Sequence, residues 1–278
     1  MKMQKDRESF WREKSREARK LALGAMHAAG NGHVGGVMSV MDLLVVLYFD
    51  VMKIVPANPA DPARDRFVMS KGHAGPAVYT LLAMRGYFEK ERLLTLNHNG
   101  TKLPSHCDMN KVPGIDMTCG SLGQGISAAL GMALAARMDN LGLDVYCVVG
   151  DGECQEGEIW EAALLAAHQK TDRLHLFVDD NGGQVDGYTR DIVSVEPLAE
   201  KWSAFGWDTV KVDGHDHQAI YDAVMEAKSR PGKPHAYILA TRKAKGVSRA
   251  EGSAACHHMA LDDKCYSEML CEMDKEGQ

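Results

Sequence analysis

Asp151 and Asn181, thirty positions apart, carry the chemistry most directly legible in this sequence. Each follows an apolar run of β type. Val145, Tyr146, Cys147, Val148 and Val149 lead into Gly150-Asp151-Gly152, and Leu174, Leu176, Phe177 and Val178 lead into Asp179-Asp180-Asn181. Between the runs, Ile159, Trp160, Ala163, Leu164 and Ala167 fall on one helical face. The pattern predicts a βαβ unit, whose parallel strands deliver their C-terminal ends side by side. Asp151 and Asn181 then occupy neighbouring loops at the edge where open α/β sheets bind ligands. A carboxylate and an amide oxygen are hard ligands. They suit Mg²⁺, which takes few protein ligands and completes its shell with water and phosphate oxygens. Glycines at 150 and 152 leave room for a diphosphate to approach the backbone.

Histidine supplies a second group of candidates, in five glycine-, proline- or cysteine-flanked contexts: Gly32-His33, Gly72-His73, Pro104-Ser105-His106, Gly214-His215 and Cys256-His257-His258. Imidazole donates, accepts and titrates near neutrality, which suits the handling of hydroxyls and transient alkoxides. Taken singly, each is also an ordinary capping or surface residue, and no HxxxH or cysteine pair marks a zinc site. Residues 30–36 contain a literal GxGxxG, but it follows a helix pattern, not a strand, and the dinucleotide reading is rejected.

The elements that must position these residues are legible in outline. A helix is expected over 6–29, capped by Gly30, and an almost wholly apolar one over 39–49. A proline-broken loop (56–66) precedes a strand at 67–69, and a helix starts near His73. Residues 89–119 read as a loop wandering over the strand ends, and 119–137 as a glycine-rich turn feeding a small-residue helix. After the central unit come a loop (182–191), a short helix (195–205), a strand (207–214), a helix (217–230) and a strand (235–241). The tail from 242 reads as polar, with a small apolar cluster near Met259 to Leu261.

At 278 residues, 45% hydrophobic and 25% charged, the sequence fits one α/β domain (1–278) built on a mostly parallel sheet with helices on both faces. A net charge of -6 with no basic cluster argues against nucleic acid as a partner. Seven cysteines without a CxxC pair point to free thiols in a reducing cytoplasm. The charged N-terminus shows no signal-peptide h-region, and no apolar run is long enough to span a bilayer, so no membrane partner is expected.

The order of motifs from Leu21 to about His258 resembles the N-terminal, diphosphate-binding half of the transketolase family. Gly150-Asp151-Gly152 with Glu156-Gly157, Trp160-Glu161-Ala162 and Asn181 is similar to the family's thiamine-diphosphate motif. Gly32-His33-Val34-Gly35 stands for GHPG, Ser70-Lys71-Gly72-His73-Ala74 for SxGHA, and Thr118 through Gly125 for TTGxLGQG. Leu103-Pro104-Ser105-His106 matches the TPGHPE loop loosely. The resemblance implies a thiamine-diphosphate-binding fold with His33, His73, His106 and His257 lining the channel to the thiazolium. It places Asp151, Asn181 and the Gly183 carbonyl on the metal. It assigns cofactor contacts to His73, Gly120, Ser121, Leu122, Gly152, Glu153, Asn181, Val185 and His257, and puts Glu156 and Glu161 at a subunit interface. His258 stays open as the alternative to His257.

Departures from the pattern are Val34 at a proline and Ala244 at a glycine of TxKGKG. The implied activity is transfer of a two-carbon ketol unit from a ketose phosphate to an aldose phosphate, with thiamine diphosphate and Mg²⁺ or another divalent cation. The pyrimidine-binding domain that the family requires is absent from these residues. The implied assembly therefore contains a C-terminal partner subunit, with self-association into a heterotetramer. A deoxyxylulose-phosphate-synthase-like enzyme, a specialised sugar transketolase and a non-catalytic regulatory homologue are the alternatives.

Overall fold

In the computed structural model, which describes residues 2–275, the apolar runs become five parallel strands. They are β1 (Arg66–Met69), β2 (Val145–Gly150), β3 (Leu174–Asp180), β4 (Asp208–Asp213) and β5 (His235–Ala240). Their order across the sheet is β1-β2-β3-β5-β4. Gly150 pairs with Asp179, and Asp180 with Ala240, so the C-terminal ends of β2, β3 and β5 lie level. Loops that leave them share one edge, where ligands bind in sheets of this kind.

Among the described residues, the helices that cover the faces are α1 (Lys2–Ala28), α2 (Val34–Ser39), α3 (Met41–Val46), α4 (Gly75–Met84), α5 (Gln124–Met138), α6 (Gly157–His168), α7 (Leu198–Ala204), α8 (His217–Lys228) and α9 (Asp263–Lys275). Strand alternation sorts the core into two layers. Tyr146, Val148 and Phe177 pack among residues of α1 to α4, α8 and α9, with Trp11, Leu23 and Leu44 fully buried there. Val145, Cys147, Val149, Leu176 and Val178 face α5, α6 and α7, closed by Trp202 and Trp207. Among the described residues no helix is long and apolar enough to cross a membrane.

Several elements differ from the sequence reading. The apolar helix expected over 39–49 is helical from Val34, breaks at Val40 and ends in a π turn at Leu47–Val51. Its residues are buried on every side, so no amphipathic stripe marks its limits. α6 buries Ile159, Ala162, Ala163 and Ala166, while Leu164 and Leu165 face outward at 60% and 47% exposure. Small alanines, not the larger leucines, make the close contact with the sheet and α5. The loop over 182–191 contains a two-residue ladder, Gly183–Gln184 with Gly187–Tyr188, and one helical turn at Thr189–Ile192.

The tail is the largest departure. α9 docks against α1 and buries Met269 and Met273, whose i,i+4 spacing marks one helix face within an otherwise polar and charged segment. Ahead of it, Met259–Ala260 pairs antiparallel with Asn31–Gly32. That short ladder brings His257 and His258 back to His33. The long loop over 89–119 is pinned to β1 through Asp116, which accepts from Arg64 (2.5 and 3.0 Å) and from the Phe67 amide (2.9 Å).

α5 meets the end of β1 so closely that glycine is required at 125. A Cβ there would lie 2.7 Å from the Ser70 Cα, whereas one at Gly131 on the same helix would meet nothing within 4 Å. Gly125→Ala is expected to destabilise the chain by about 1–3 kcal/mol through overpacking. Gly131→Ala should stabilise it by about 0.5–1 kcal/mol through helix propensity. Urea midpoints of the two variants check the opposite signs.

Candidate active site

The site is assembled around a carboxylate that the sequence reading passed over. Asp179, fully buried near the end of β3, accepts from Ser39 Oγ (2.7 Å), Lys71 Nζ (2.5 Å) and Asn181 Nδ2 (2.7 Å) on Oδ2, and from Thr241 Oγ1 (2.6 Å) on Oδ1. Burial pushes its carboxyl up, but the Lys71 ammonium and the hydroxyl donors outweigh this and hold it below the usual range. Side chains from α2, the β1 loop, the β3 loop and the β5 loop are thereby fixed to one point.

Asp151 and Asn181 do fall in neighbouring loops. The Asp151 amide donates to the Asp179 carbonyl (3.2 Å), and Asn181 Oδ1 accepts from the Gly183 amide (3.1 Å). Thr189 Oγ1 donates to Asp151 Oδ2 (2.7 Å), leaving Oδ1 without a side-chain partner among the described residues. Burial raises the Asp151 carboxyl, and Asp180 beside it is pushed to about 7 by burial, Asp151, Glu196 and Asp179. Crowded carboxyls of this kind are relieved by a cation. Among the described residues no group of three or more His, Cys, Asp or Glu is disposed to hold a metal. Asp151 and Asn181 offer hard oxygen donors, the type taken by an ion that draws its remaining ligands from phosphate and water.

Gly152 faces the Gln184 side chain, whose Cβ would lie 3.1 Å from an added Cβ, so a side chain at 152 would crowd Gln184. Glu153 turns inward. Its carboxylate accepts from Ser70 Oγ, the Gly123 amide (2.9 Å) and the Gly150 amide (3.0 Å), and burial raises its carboxyl. It joins the loops that follow β1 and β2 to the turn before α5, which places it as an organiser of the 119–123 loop. Gly120, Ser121 and Leu122 on that loop are exposed, as is Val185 across the site. Glu156 and Glu161 are both exposed.

The histidines converge. The His33 ring lies 5.4 Å from His73, 5.9 Å from His106, 5.5 Å from His257 and 4.8 Å from His258, and His73 lies 5.0 Å from His257. His257 touches both inner rings and is half-buried, whereas exposed His258 is turned to Asn31 Oδ1 (3.2 Å), which favours His257 as the inner group. Burial, then neighbouring rings, lowers His33 to about 4; burial, then Lys243 and neighbouring rings, lowers His257 to about 4. Burial and Lys71 put His73 well below its ordinary value, and burial lowers His106. All four are neutral at pH 7. His215, in the fourth histidine context, lies elsewhere, bonded to Asp42 (2.8 Å).

Two lysines stand between the histidines and the carboxylates, and neither was singled out from sequence. Lys71 and Lys243 are 1% and 2% exposed. Lys71 is matched by Asp179, but Lys243 Nζ finds only the Gln184 carbonyl (3.1 Å). Burial lowers Lys243, as expected of a cation with no carboxylate against it. The signal available was position, since Lys71 and Lys243 fall inside the two motifs Ser70 to Ala74 and Thr241 to Gly246.

Comparison with known proteins agrees with this geometry. Residues 12–270 match the family model for the transketolase thiamine diphosphate binding domain. A 6-deoxy-6-sulfo-D-fructose transketolase subunit of Clostridium sp. (strain MSTE9) is 52% identical over 93% of this chain and 94% of its own length. One of the apulose-4-phosphate transketolase subunits, from Phocaeicola vulgatus, is 38% identical over 94% and 92%. The solved transketolase of Leishmania mexicana superposes with a TM-score of 0.89 at 30% identity over 95% of this chain, which spans 41% of that longer one. In the fold, the sequence and the ends of its central strands, the chain belongs to the transketolase thiamine-diphosphate-binding family.

Proposed function

We propose that this chain, read whole as one cofactor-binding domain, is the diphosphate-binding subunit of a transketolase. It transfers a two-carbon ketol unit from an anionic ketose to an anionic aldose, with thiamine diphosphate and Mg²⁺, alongside a second chain that carries the pyrimidine-binding domain. The observation that carries the reading is one sheet edge holding Asp151, Asn181, an uncompensated buried Lys243 and four neutral histidines. When bound, thiamine diphosphate supplies the electron sink for breaking the carbon–carbon bond beside a ketose carbonyl. The protein's own part is binding, orientation and proton handling.

Asp151, Asn181 and the Gly183 carbonyl would hold the divalent ion, while Gly152 and Lys243 would meet the diphosphate. Leu122, Val185 and the Gly120-Ser121 backbone would border the rings. His33, His73, His106 and His257, kept neutral by burial, can each accept a proton from a sugar hydroxyl or donate to a developing alkoxide. Relatives of matching length are named as subunits, and exposed Leu122, Val185, Ile192 and Val193 leave an apolar rim for the second chain. Exposed Leu164 and Leu165 beside Glu161 suit self-association, and seven free cysteines suit a reducing cytoplasm. The 52% identity to a sulfofructose transketolase subunit favours a donor ending in a sulfonate.

Three outcomes are expected. Calorimetric titration of thiamine diphosphate with Mg²⁺ into the chain plus its partner should show binding that Thr189→Val weakens about 10–100-fold and Asp151→Ala abolishes. Unchanged affinity in Asp151→Ala would remove the metal site. Turnover of 6-deoxy-6-sulfofructose should exceed that of fructose 6-phosphate at equal concentration, and the reverse order would restore the phosphate donor.

In NMR titrations of the chain, the His33 and His257 imidazoles should protonate near pH 4, while in the unfolded chain they protonate near the ordinary 6.5. Their contribution to stability is therefore complete above pH 6.5 and lost as pH falls toward 4. Native midpoints near 6.5 would show a solvated cluster and overturn the neutral-imidazole reading.

A further inference from the structure

The residue that precedes Lys243 is held from outside the catalytic edge. The Arg242 amide donates to a side chain, His215 Nε2 (2.9 Å), in the turn between β4 and α8. His215 Nδ1 lies 2.8 Å from Asp42 Oδ2 on α3. A backbone amide can only donate, so Nε2 carries no proton. Nδ1 then carries it and donates to Asp42, which fixes a neutral imidazole in one tautomer. Asp42 is itself fixed. It is buried, accepts from both Arg19 Nη atoms on α1 (3.0 and 2.6 Å) and has His217 Nε2 of α8 at 3.2 Å. The turn also fits closely against the start of the β5 loop, since a Cβ added at Gly214 would collide with Thr241 Cγ2.

The other ties of the loop lie to either side. Thr241 Oγ1 reaches Asp179, the Lys243 carbonyl accepts from the Gly252 amide (2.8 Å), and the Ala244 amide reaches the Gly35 carbonyl (3.0 Å). Arg242 stands between them at an exposed position, where water can replace His215 as the acceptor. Such an exchange costs the fold little, because one hydrogen bond is traded for another. It does free the backbone at Arg242 to rotate, and the Lys243 side chain would turn with it. The bond therefore governs direction more than stability.

We infer that His215 is a positioning residue, which aims Lys243 at the diphosphate through the Arg242 amide. That role rests on Lys243 meeting the diphosphate, as proposed above. Arg19, Asp42 and His215 form a chain of contacts that carries the rigidity of α1 and α3 to the loop, much as outer groups orient the ligands of a metal ion. Arg19 and His217 keep Asp42 paired when His215 is changed, so a substitution there strands no buried carboxylate.

Two amide side chains separate the two bonds of the imidazole. Gln reaches the place of Nε2 and offers Arg242 an acceptor, whereas Asn reaches only the place of Nδ1 and keeps the bond to Asp42. Hydrogen exchange of the Arg242 amide is read by NMR in the chain, each variant first confirmed folded by thermal melting. Thiamine diphosphate with Mg²⁺ is then titrated calorimetrically into the chain plus its partner. His215→Asn is expected to speed exchange of that amide and weaken cofactor binding about tenfold, and His215→Gln to restore both. Added to Lys243→Ala, His215→Asn should weaken binding no further, since both act through one ammonium. Unchanged exchange and affinity in His215→Asn would overturn the inference. So would a Gln variant as weak as the Asn one, or a second full loss on top of Lys243→Ala, either of which marks a merely structural histidine. A wild type that binds no thiamine diphosphate would overturn the cofactor reading itself, and this role with it.

Discussion

Everything at the catalytic edge depends on the buried carboxylate of Asp179. It lies in the middle of a parallel sheet, where an unpaired charge is prohibitive, and four donors from four separate segments meet its two oxygens. Taking away Lys71 would leave a buried anion, a change that typically costs about 3–5 kcal/mol. The arrangement converts the sequence-distant Ser39, Lys71, Asn181 and Thr241 into a single rigid unit. Glu153 repeats the device one strand over, joining Ser70, Gly123 and Gly150. Two buried acids therefore hold the loops, and neither is left over for a ligand.

What remains is a deliberate imbalance of charge on either side of that framework. On one side Asp151 and Asp180 crowd Asp179 until burial and mutual repulsion raise them both, Asp180 to about 7. On the other side Lys243 lies buried with a lone carbonyl for company. A divalent cation would relieve the first and a diphosphate the second. Because the two species bind each other, one ligand complex would satisfy both ends. The histidines complete the contrast. Burial lowers the basicity of all four rings, and Lys71 and Lys243 add to it at His73 and His257, so the imidazole cluster carries little charge that would compete for the diphosphate.

Strands β2 and β3 and the pairing of Asp151 with Asn181 were legible in sequence because the apolar runs end abruptly in glycine and acid. The convergence of His33, His73, His106 and His257 was legible only through motif order, since no spacing links position 33 to 257. The structural link is a two-residue ladder, Asn31–Gly32 with Met259–Ala260, too short to leave a pattern. α9 was missed for a related reason, since two buried methionines among charges look like a polar tail. Asp179 escaped notice because it reads as one of three polar residues at a strand end. Only burial separates the framework acid from Asp180 beside it.

The β5 loop shows why a departure from the family pattern can persist. Ala244 takes the place of a glycine and sits at φ +57°, a left-handed conformation that costs a residue with a Cβ about 1–2 kcal/mol. It is held there from both directions. Thr241 is tied to Asp179, Arg242 to His215, and the Ala244 amide to the Gly35 carbonyl (3.0 Å). Its methyl is fully buried in the layer that includes Val34 and Val37, so packing offsets part of the strain. A glycine would relax the backbone but would also loosen the chain between Lys243, buried against the Gln184 carbonyl, and Lys245, which stands 3.7 Å from Glu251. Strain that its surroundings over-determine serves here to hold Lys243 on the side of Gln184 and Lys245 on the side of Glu251.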